Sequence, residues 1–359
     1  MQPLNVYACY NLNHDIRMAS SSGAVFSSLA EYILDQEGVV YGVVMSEDCY
    51  SAEFIAATSK KELMRLRGSK YLQAKVGNTF RKVKTDLLEG KLVLFTGTGC
   101  QVNGLKKYLG REYDNLICAD VICHGVPSPA LWRAYVKYQE EKNCGKLNQV
   151  NFRCKDKGWA DFGMSELSSY TTGTSTTSVF ISKDYDSYMQ IFLRDYALRP
   201  SCYECVAKNR KDSDLTIADF WGIEKVAPEL NDGNGTSLVL IRTQKGKEIF
   251  ERIVSSLKLK KVPYEMGIKG NPAEYKSAHR PQERNTFYKD FSKLSYKELA
   301  QKYASLNWDS IKYATKKGIK KVIRFIQNIR GGGKIASSIS TYGLLLTFTY
   351  DERNDTPIS

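Results

Sequence analysis

Two hydrophobic periods alternate along this chain. Val25, Phe26, Leu29, Ala30, Ile33 and Leu34 recur at the spacing of one helical face. Ser20-Ser21-Ser22-Gly23 ahead of them reads as a serine-capped start, with Gly38 as the stop. Val39 to Met45 is then a continuous apolar run of strand length, and Phe54 to Ala57 a second. Ser59-Lys60-Lys61-Glu62 has capping-box spacing and predicts a short helix through Leu66. Another helix is predicted from Thr79 to Glu89, ended by Gly90.

The next stretch repeats one grammar. Leu92 to Phe95 is an apolar strand that breaks at Gly97-Thr98-Gly99-Cys100-Gln101, and a helix follows through Leu109. Leu116 to Ile122 is a strand that ends at Cys123-His124-Gly125, with a helix from Pro129 to Lys142. Strand, glycine loop and helix in succession predict an α/β fold, a twisted sheet with flanking helices. Ligands of such sheets lie at the carboxyl ends of the strands, where both loops fall.

From Gln149 to Phe180 the pattern becomes short strands with Ser/Thr-rich connections. A helix is predicted over Tyr185–Leu198, strands over Leu215–Phe220 and Ser237–Thr243, and a helix over Lys245–Leu257. Past Pro272 the composition turns polar and basic, which divides the chain into a domain of residues 1–271 and a basic, helical C-terminal extension of residues 272–359.

Charge sharpens this picture. The formal balance of +13 calls for an acidic partner, but eight Lys or Arg and no Asp or Glu fall between Lys312 and Lys334. With the excess concentrated there and no nucleic-acid motif, nucleic-acid binding is not expected. In that tail Ile319, Val322, Ile323, Ile326 and Ile329 share one helical face. Such a basic amphipathic helix suits weak contact with an anionic membrane surface, or docks on its own domain with the basic face solvated. The start lacks a charged segment followed by an apolar one, and no apolar run is long enough to span a bilayer, so a cytoplasmic protein is expected. There the nine cysteines are expected as thiols or metal ligands.

Two of them carry the strongest local signal. In Arg199-Pro200-Ser201-Cys202-Tyr203-Glu204-Cys205, two thiols three residues apart can reach one metal centre from a single turn. Cys100 and Cys123 each follow a strand, and adjacent strands would deliver them to the same sheet edge. An iron–sulfur cube, a closed four-thiolate zinc site and plain buried thiols all remain open on spacing alone. A second signal is anion holding. Gly97-Thr98-Gly99 opens a helix, Ser21-Ser22-Gly23 precedes another, and Arg67-Gly68-Ser69-Lys70-Tyr71 combines two cations, a hydroxyl and a ring suited to a nucleotide. Trp159 and Trp221 are candidate walls of a flat pocket or simply core residues. His124 beside Cys123 is a candidate proton donor. Asp219, in Asp219-Phe220-Trp221-Gly222, is a candidate partner for a ring or substrate, or a cap.

Taken in order, Ser20–Gly23, Arg67–Tyr71, Gly97–Gln101, Cys123-His124-Gly125-Val126-Pro127-Ser128-Pro129, Lys155 with Gly158-Trp159, Ser201–Cys205 and Asp219–Gly222 resemble the coenzyme F-420 hydrogenase/dehydrogenase beta subunit family, over roughly Tyr7 to Thr243. The resemblance implies a flavin- and [4Fe–4S]-dependent oxidoreductase. Its cluster ligands would be Cys100, Cys123, Cys202 and Cys205. Its FAD would be held by Ser21, Ser22, Gly23, Arg67, Gly68, Ser69, Lys70, Tyr71, Gly97, Thr98, Gly99 and Gln101, with His124, Lys155 and Asp219 as catalytic candidates. Electrons would pass between a ferredoxin-like protein and a small-molecule hydride acceptor or donor, such as a deazaflavin. A non-enzymatic electron-transfer or assembly partner is the alternative, since some bacterial members accompany surface-polysaccharide genes. Three positions depart from the family pattern: Ala24 where a second glycine is common, Gly99 where proline is common, and Ala218 where glycine is common. No ferredoxin-like cysteine runs precede Cys9, so electrons are expected from a separate protein.

Overall fold

The computed structural model describes residues 2–170 and 176–304. The basic amphipathic segment and the apolar run near Leu344 lie outside them. The chain divides into two compact units, Met1–Ser305 and Leu306–Ser359, and the described residues belong to the first.

A nine-stranded mixed sheet organises this unit, with a separate three-stranded sheet beside it in sequence order. The strands are β1 (Asn5–Asn11), β2 (Val39–Met45), β3 (Ala52–Ala57), β4 (Ala74–Lys75), β5 (Val93–Thr98), β6 (Leu116–Val121), β7 (Gly145–Cys154), β8 (Gly163–Tyr170), β9 (Thr176–Ser182), β10 (Leu215–Asp219), β11 (Ser237–Ile241) and β12 (Leu257–Lys261). The large sheet runs β12-β1-β11-β10-β6-β5-β2-β3-β4, and the small one is the meander β7-β8-β9. The centre, β10-β6-β5-β2, is parallel throughout, as the α/β reading requires. Antiparallel pairs flank it: β2 with β3 on one side, β10 with β11 and β11 with β1 on the other.

The uninterrupted apolar runs of the central strands follow from burial on both faces. Val93 and Phe95 of β5 with Leu116 and Cys118 of β6 face one core. Leu94, Ile117 and Ala119 face the other. Helices α2 (Val25–Asp35), α3 (Lys60–Leu66) and α9 (Gln244–Ile253) supply the second core with Leu29, Ile33, Leu63 and Phe250. The first takes Val83 from α4 (Thr79–Leu88), Val102 and Leu105 from α5 (Gly99–Leu109), and Trp132 and Tyr135 from α6 (Pro129–Asn143). Short α1 (His14–Met18), α8 (Ile223–Val226) and α10 (Tyr264–Ile268) lie at the periphery.

Four sequence expectations are corrected. Helix α7 is Ser187–Leu193, shorter than Tyr185–Leu198, because Asp186 caps its start through the Met189 amide and a left-handed Asp195 (φ +64°) turns the chain out after it. Strands β1 and β12 are additional, and β12 begins at Leu257, the last residue of the predicted Lys245–Leu257 helix. The serines do not cap α2: its N-cap is Ala24, left-handed at φ +67° with no side-chain cap. Finally, Pro272–Ala304 packs into the compact unit. Glu274 is buried between Arg242 (2.5 Å) and Lys211 (3.3 Å). Helices α11 (Arg284–Phe291) and α12 (Tyr296–Tyr303) add Phe287, Tyr296 and Leu299 to the first core.

Candidate functional site

Register across the parallel centre sets the site. Thr98 of β5 faces Val121 of β6, and Val121 faces Ile217 of β10. Cys100, Cys123 and Asp219 each stand two residues beyond one of these positions, at the carboxyl ends of three adjacent parallel strands. This is the edge where α/β sheets bind ligands.

The Cys202–Cys205 pair comes to the same edge. Pro200 opens a 3₁₀ turn ending at Cys202, and Cys205 starts the next, over Val206–Lys208. A bridge between Pro127 and Leu198, with the Arg199 amide on the Val126 carbonyl (2.9 Å), ties this loop to the one that carries Cys123. Lys208 Nζ donates to the Cys123 carbonyl at 2.6 Å and also to that of Ala273, and the Cys205 amide donates to Ser277 Oγ at 2.9 Å. Cys123 lies within electrostatic reach of Cys100 and Cys202, and Cys202 within reach of Cys100 and Cys205. Burial, with Cys100 and Cys202 adding to it against Lys208, pushes the Cys123 thiol up to about 12. Burial, Cys100 and Cys205 likewise raise Cys202. Cys100 is exposed, so the group opens to solvent on that side. Cys9, Cys49, Cys118 and Cys154 are buried elsewhere, and no disulfide joins the described cysteines. Among the described residues no three His, Cys, Asp or Glu side chains are arranged as they stand to hold a metal ion.

His124 follows Cys123, and its Nε2 lies 2.5 Å from Asp195 Oδ1. A carboxylate only accepts, so this nitrogen carries a hydrogen. The ring meets Phe192 edge-on at 5.4 Å. Sequence reasoning singled out His124 but not Asp195, whose left-handed backbone is the one local sign of its role.

Of the anion-ready segments, two meet. Ser69's amide donates to Ser21 Oγ at 2.8 Å, joining the serine turn to the Arg67–Tyr71 segment. Gly23 is pinned between β1 and β11: a side chain there would begin 2.5 Å from the Cys9 carbonyl oxygen. The cations, however, are committed to protein groups. Arg67 donates to Ser27 Oγ (3.1 Å) and Glu31 (2.9 Å). Lys70 Nζ caps α3 through the carbonyls of Arg65, Leu66 and Arg67 at 2.8–3.2 Å. In the third segment the Thr98 amide donates to Gln101 Oε1 at 2.9 Å.

Arg153 is the main residue that sequence reasoning missed. It reaches from β7 to the edge of the large sheet, with its side chain 2% exposed. Its guanidinium donates to both Asp219 oxygens (2.6 and 2.9 Å), to the Tyr71 hydroxyl (3.2 Å) and to the Ser21 carbonyl (3.3 Å). It thereby joins the serine turn, the Arg67–Tyr71 segment and the end of β10. Asp219 Oδ1 also accepts from Trp159 Nε1 at 2.8 Å. Trp159 and Trp221 stack on each other at 4.7 Å, so each fills the ring face that a flat ligand between them would need. Lys155 is a buried clamp whose Nζ donates to the carbonyls of Arg17, Ser22 and Asn234 at 2.8–2.9 Å. Burial and the nearby Arg17 and Arg153 pull its pKa down to about 7. No local pattern marked Arg153: β7 ends one residue later, at Cys154, and its pairing with β8 shifts register between Asn151 and Cys154.

The fold and site define an α/β protein that sets Cys100, Cys123 and the arginine-paired Asp219 at the carboxyl ends of adjacent strands, with the Cys202–Cys205 loop tied beside them. The chain belongs to the coenzyme F420 hydrogenase/dehydrogenase beta subunit family: the N-terminal region of that family matches residues 6–80 and the C-terminal region matches residues 90–266. It is thus a hydrogenase beta-subunit-like member of an oxidoreductase family. A solved structure of the F420-reducing [NiFe] hydrogenase complex from Methanosarcina barkeri, derivatized with xenon, is similar over 72% of this chain and 82% of the matched chain, at 15% identity and a TM-score of 0.47. No curated protein sequence matches. Among the described residues, no helix is long and apolar enough to cross a membrane.

Proposed function

We propose that this protein is a [4Fe–4S]- and flavin-dependent oxidoreductase, exchanging electrons between a ferredoxin-like protein and a small-molecule hydride acceptor or donor such as a deazaflavin. What supports the reading is that Cys100 and Cys123 stand past the paired ends of adjacent parallel strands, with the Cys202–Cys205 loop tied to the Cys123 loop by the Pro127–Leu198 bridge. An all-thiol donor set suits iron–sulfur chemistry. A cubic cluster puts an iron at each thiolate, so its ligands stand farther apart than four around one ion.

When bound, a cluster passes single electrons and a flavin links them to hydride transfer. The chain's own residues prepare the edge for this. Lys208 brings positive charge beside Cys123 and Cys205, which favours thiolates there. Arg153 fixes Asp219, Tyr71 and Ser21 in one frame. Ser21, Ser69 and Tyr71 would be the groups to meet a flavin here, while Arg67, Lys70 and Arg153 are committed to protein groups in their present bonds.

That commitment of the cations favours a second reading, an electron-transfer or assembly partner that holds the cluster without flavin. Anaerobic purification with iron, sulfide, zinc and flavin analysis separates the two. The first expects about four irons and about one FAD per chain, the second the irons alone. A colourless zinc protein would remove both.

A further inference from the structure

The Tyr135 hydroxyl in α6 stands 2.5 Å from Glu166 Oε1 on β8 and 2.7 Å from Asp186 Oδ2 at the start of α7. Tyr135 is fully enclosed, and Glu166 and Asp186 are each 2% exposed. A phenol has one proton and donates to one carboxylate only. The other short contact therefore needs a protonated carboxyl donating to the phenol oxygen. Two carboxylate anions around a single donor would leave a buried charge without a partner.

The surroundings do little to relieve a second charge. Asp186 Oδ1 takes the Met189 amide at 2.7 Å. Lys142, in the last turn of α6, is the cation that acts on both acids. Tyr188 on α7, Tyr296 on α12, Cys49 before β3 and Glu140 on α6 also face the pair or its neighbours, and none brings positive charge.

We propose that Tyr135, Glu166 and Asp186 form a shared-proton latch that holds α7 against α6 and β8, and that losing this proton as pH rises loosens α7. The helix touches both halves of the site. Tyr188 Oη donates to the Tyr71 carbonyl at 2.7 Å, and Phe192 packs on Tyr71 (5.3 Å) and His124 (5.4 Å). Asp195, just beyond the helix, bonds His124. A proton lost at the start of α7 therefore bears on the Tyr71 segment and on the residue next to Cys123, whatever cofactor the edge carries.

The sign follows from linkage. Burial, reinforced by Asp186 and opposed by the Tyr135 bond, raises Glu166 from 4.5 to about 7. The closed form thus binds the proton more tightly than the open form. The latch is complete below the open-form value and is lost as pH rises to that of the closed form.

Hydrogen–deuterium exchange of residues 187–193 in the full chain, corrected for intrinsic exchange, tests this. The opening equilibrium should grow about tenfold per pH unit between about 5 and 7, then level off. In Glu166→Gln the amide offers the phenol an N–H at every pH, so the profile should be flat and the helix protected throughout. Infrared spectra give a second readout: wild type should show the carbonyl stretch of a buried protonated carboxyl that disappears as pH rises, and Glu166→Gln/Asp186→Asn should lack it. A wild-type exchange profile independent of pH, or no such band at low pH, overturns the proposal.

Discussion

Asp120 Oδ2 lies 2.9 Å from the point where a side chain on Gly99 would begin, and this buried oxygen has no hydrogen-bond partner. Its sister oxygen takes the hydroxyls of Ser213 and Thr216. The Ala207 methyl stands 3.1 Å from the same point. The residue before Cys100 is thus held small by β6 below and by the Val206–Lys208 turn above. This is the physical setting of the departure from proline.

Gly99→Ala should therefore overpack the edge and cost about 1–3 kcal/mol in denaturant unfolding. In an Asp120→Ala background the same change should cost less, because one of the two obstructing groups is gone. Equal costs in both backgrounds would show that the carboxyl is not the obstacle.

Cys202→Ser should sharply lower the iron bound after anaerobic preparation, since a hydroxyl replaces a thiolate donor. Cys154→Ser, at a buried cysteine of β7, should leave iron content near wild type. Full iron in the first variant, or its loss in the second, means that the ligand set is wrong.

Arg153→Met removes the guanidinium but keeps much of its length, leaving the Asp219 carboxylate without its charge partner. Breaking a buried pair in this way costs about 3–5 kcal/mol. Asp219→Asn/Arg153→Met should recover part of that loss. A thermal midpoint unmoved by Arg153→Met would show that the pair holds nothing together.

Ala24→Gly tests one of the two positions where alanine stands in place of the common glycine. A left-handed alanine costs roughly 1–2 kcal/mol, while its buried methyl contributes about 0.8 kcal/mol and glycine adds unfolded-chain entropy. The opposing effects nearly cancel, so the change should shift stability by less than about 1 kcal/mol. A loss of several kcal/mol, as for an ordinary core deletion, would contradict the strain at this residue.

The parallel centre was legible because strands buried on both faces spell themselves as apolar runs, and Gly97–Gly99 and Cys123–Gly125 mark their ends. That Cys100 and Cys123 leave adjacent strands at one edge could be anticipated for the same reason, whereas no apolar run placed the Cys202–Cys205 loop beside them. Strand β1 was not legible: Asn5–Asn11 pairs with β11, more than 200 residues away, as Asn5 faces Ile241. Strand β12, Leu-Lys-Leu-Lys-Lys, is a short edge strand whose lysines face solvent, so it carries no apolar run to mark it. Arg153 escaped notice because its importance lies in where β7 aims it, which no local pattern encodes. The serines before α2 mimicked a cap, although Ser22 and Gly23 bond Thr236 and Ser237 on the far side of the chain.

Cys100 and Cys123 each stand two residues past the paired residues Thr98 and Val121, Cys100 in the first turn of α5 and Cys123 in the loop after β6. Removing one residue between Val121 and Cys123 would drag that sulfur back by about 3.3 Å along the strand direction. That exceeds the roughly 2.3 Å length of a metal–thiolate bond, so this loop cannot shorten alone without carrying its sulfur away from Cys100.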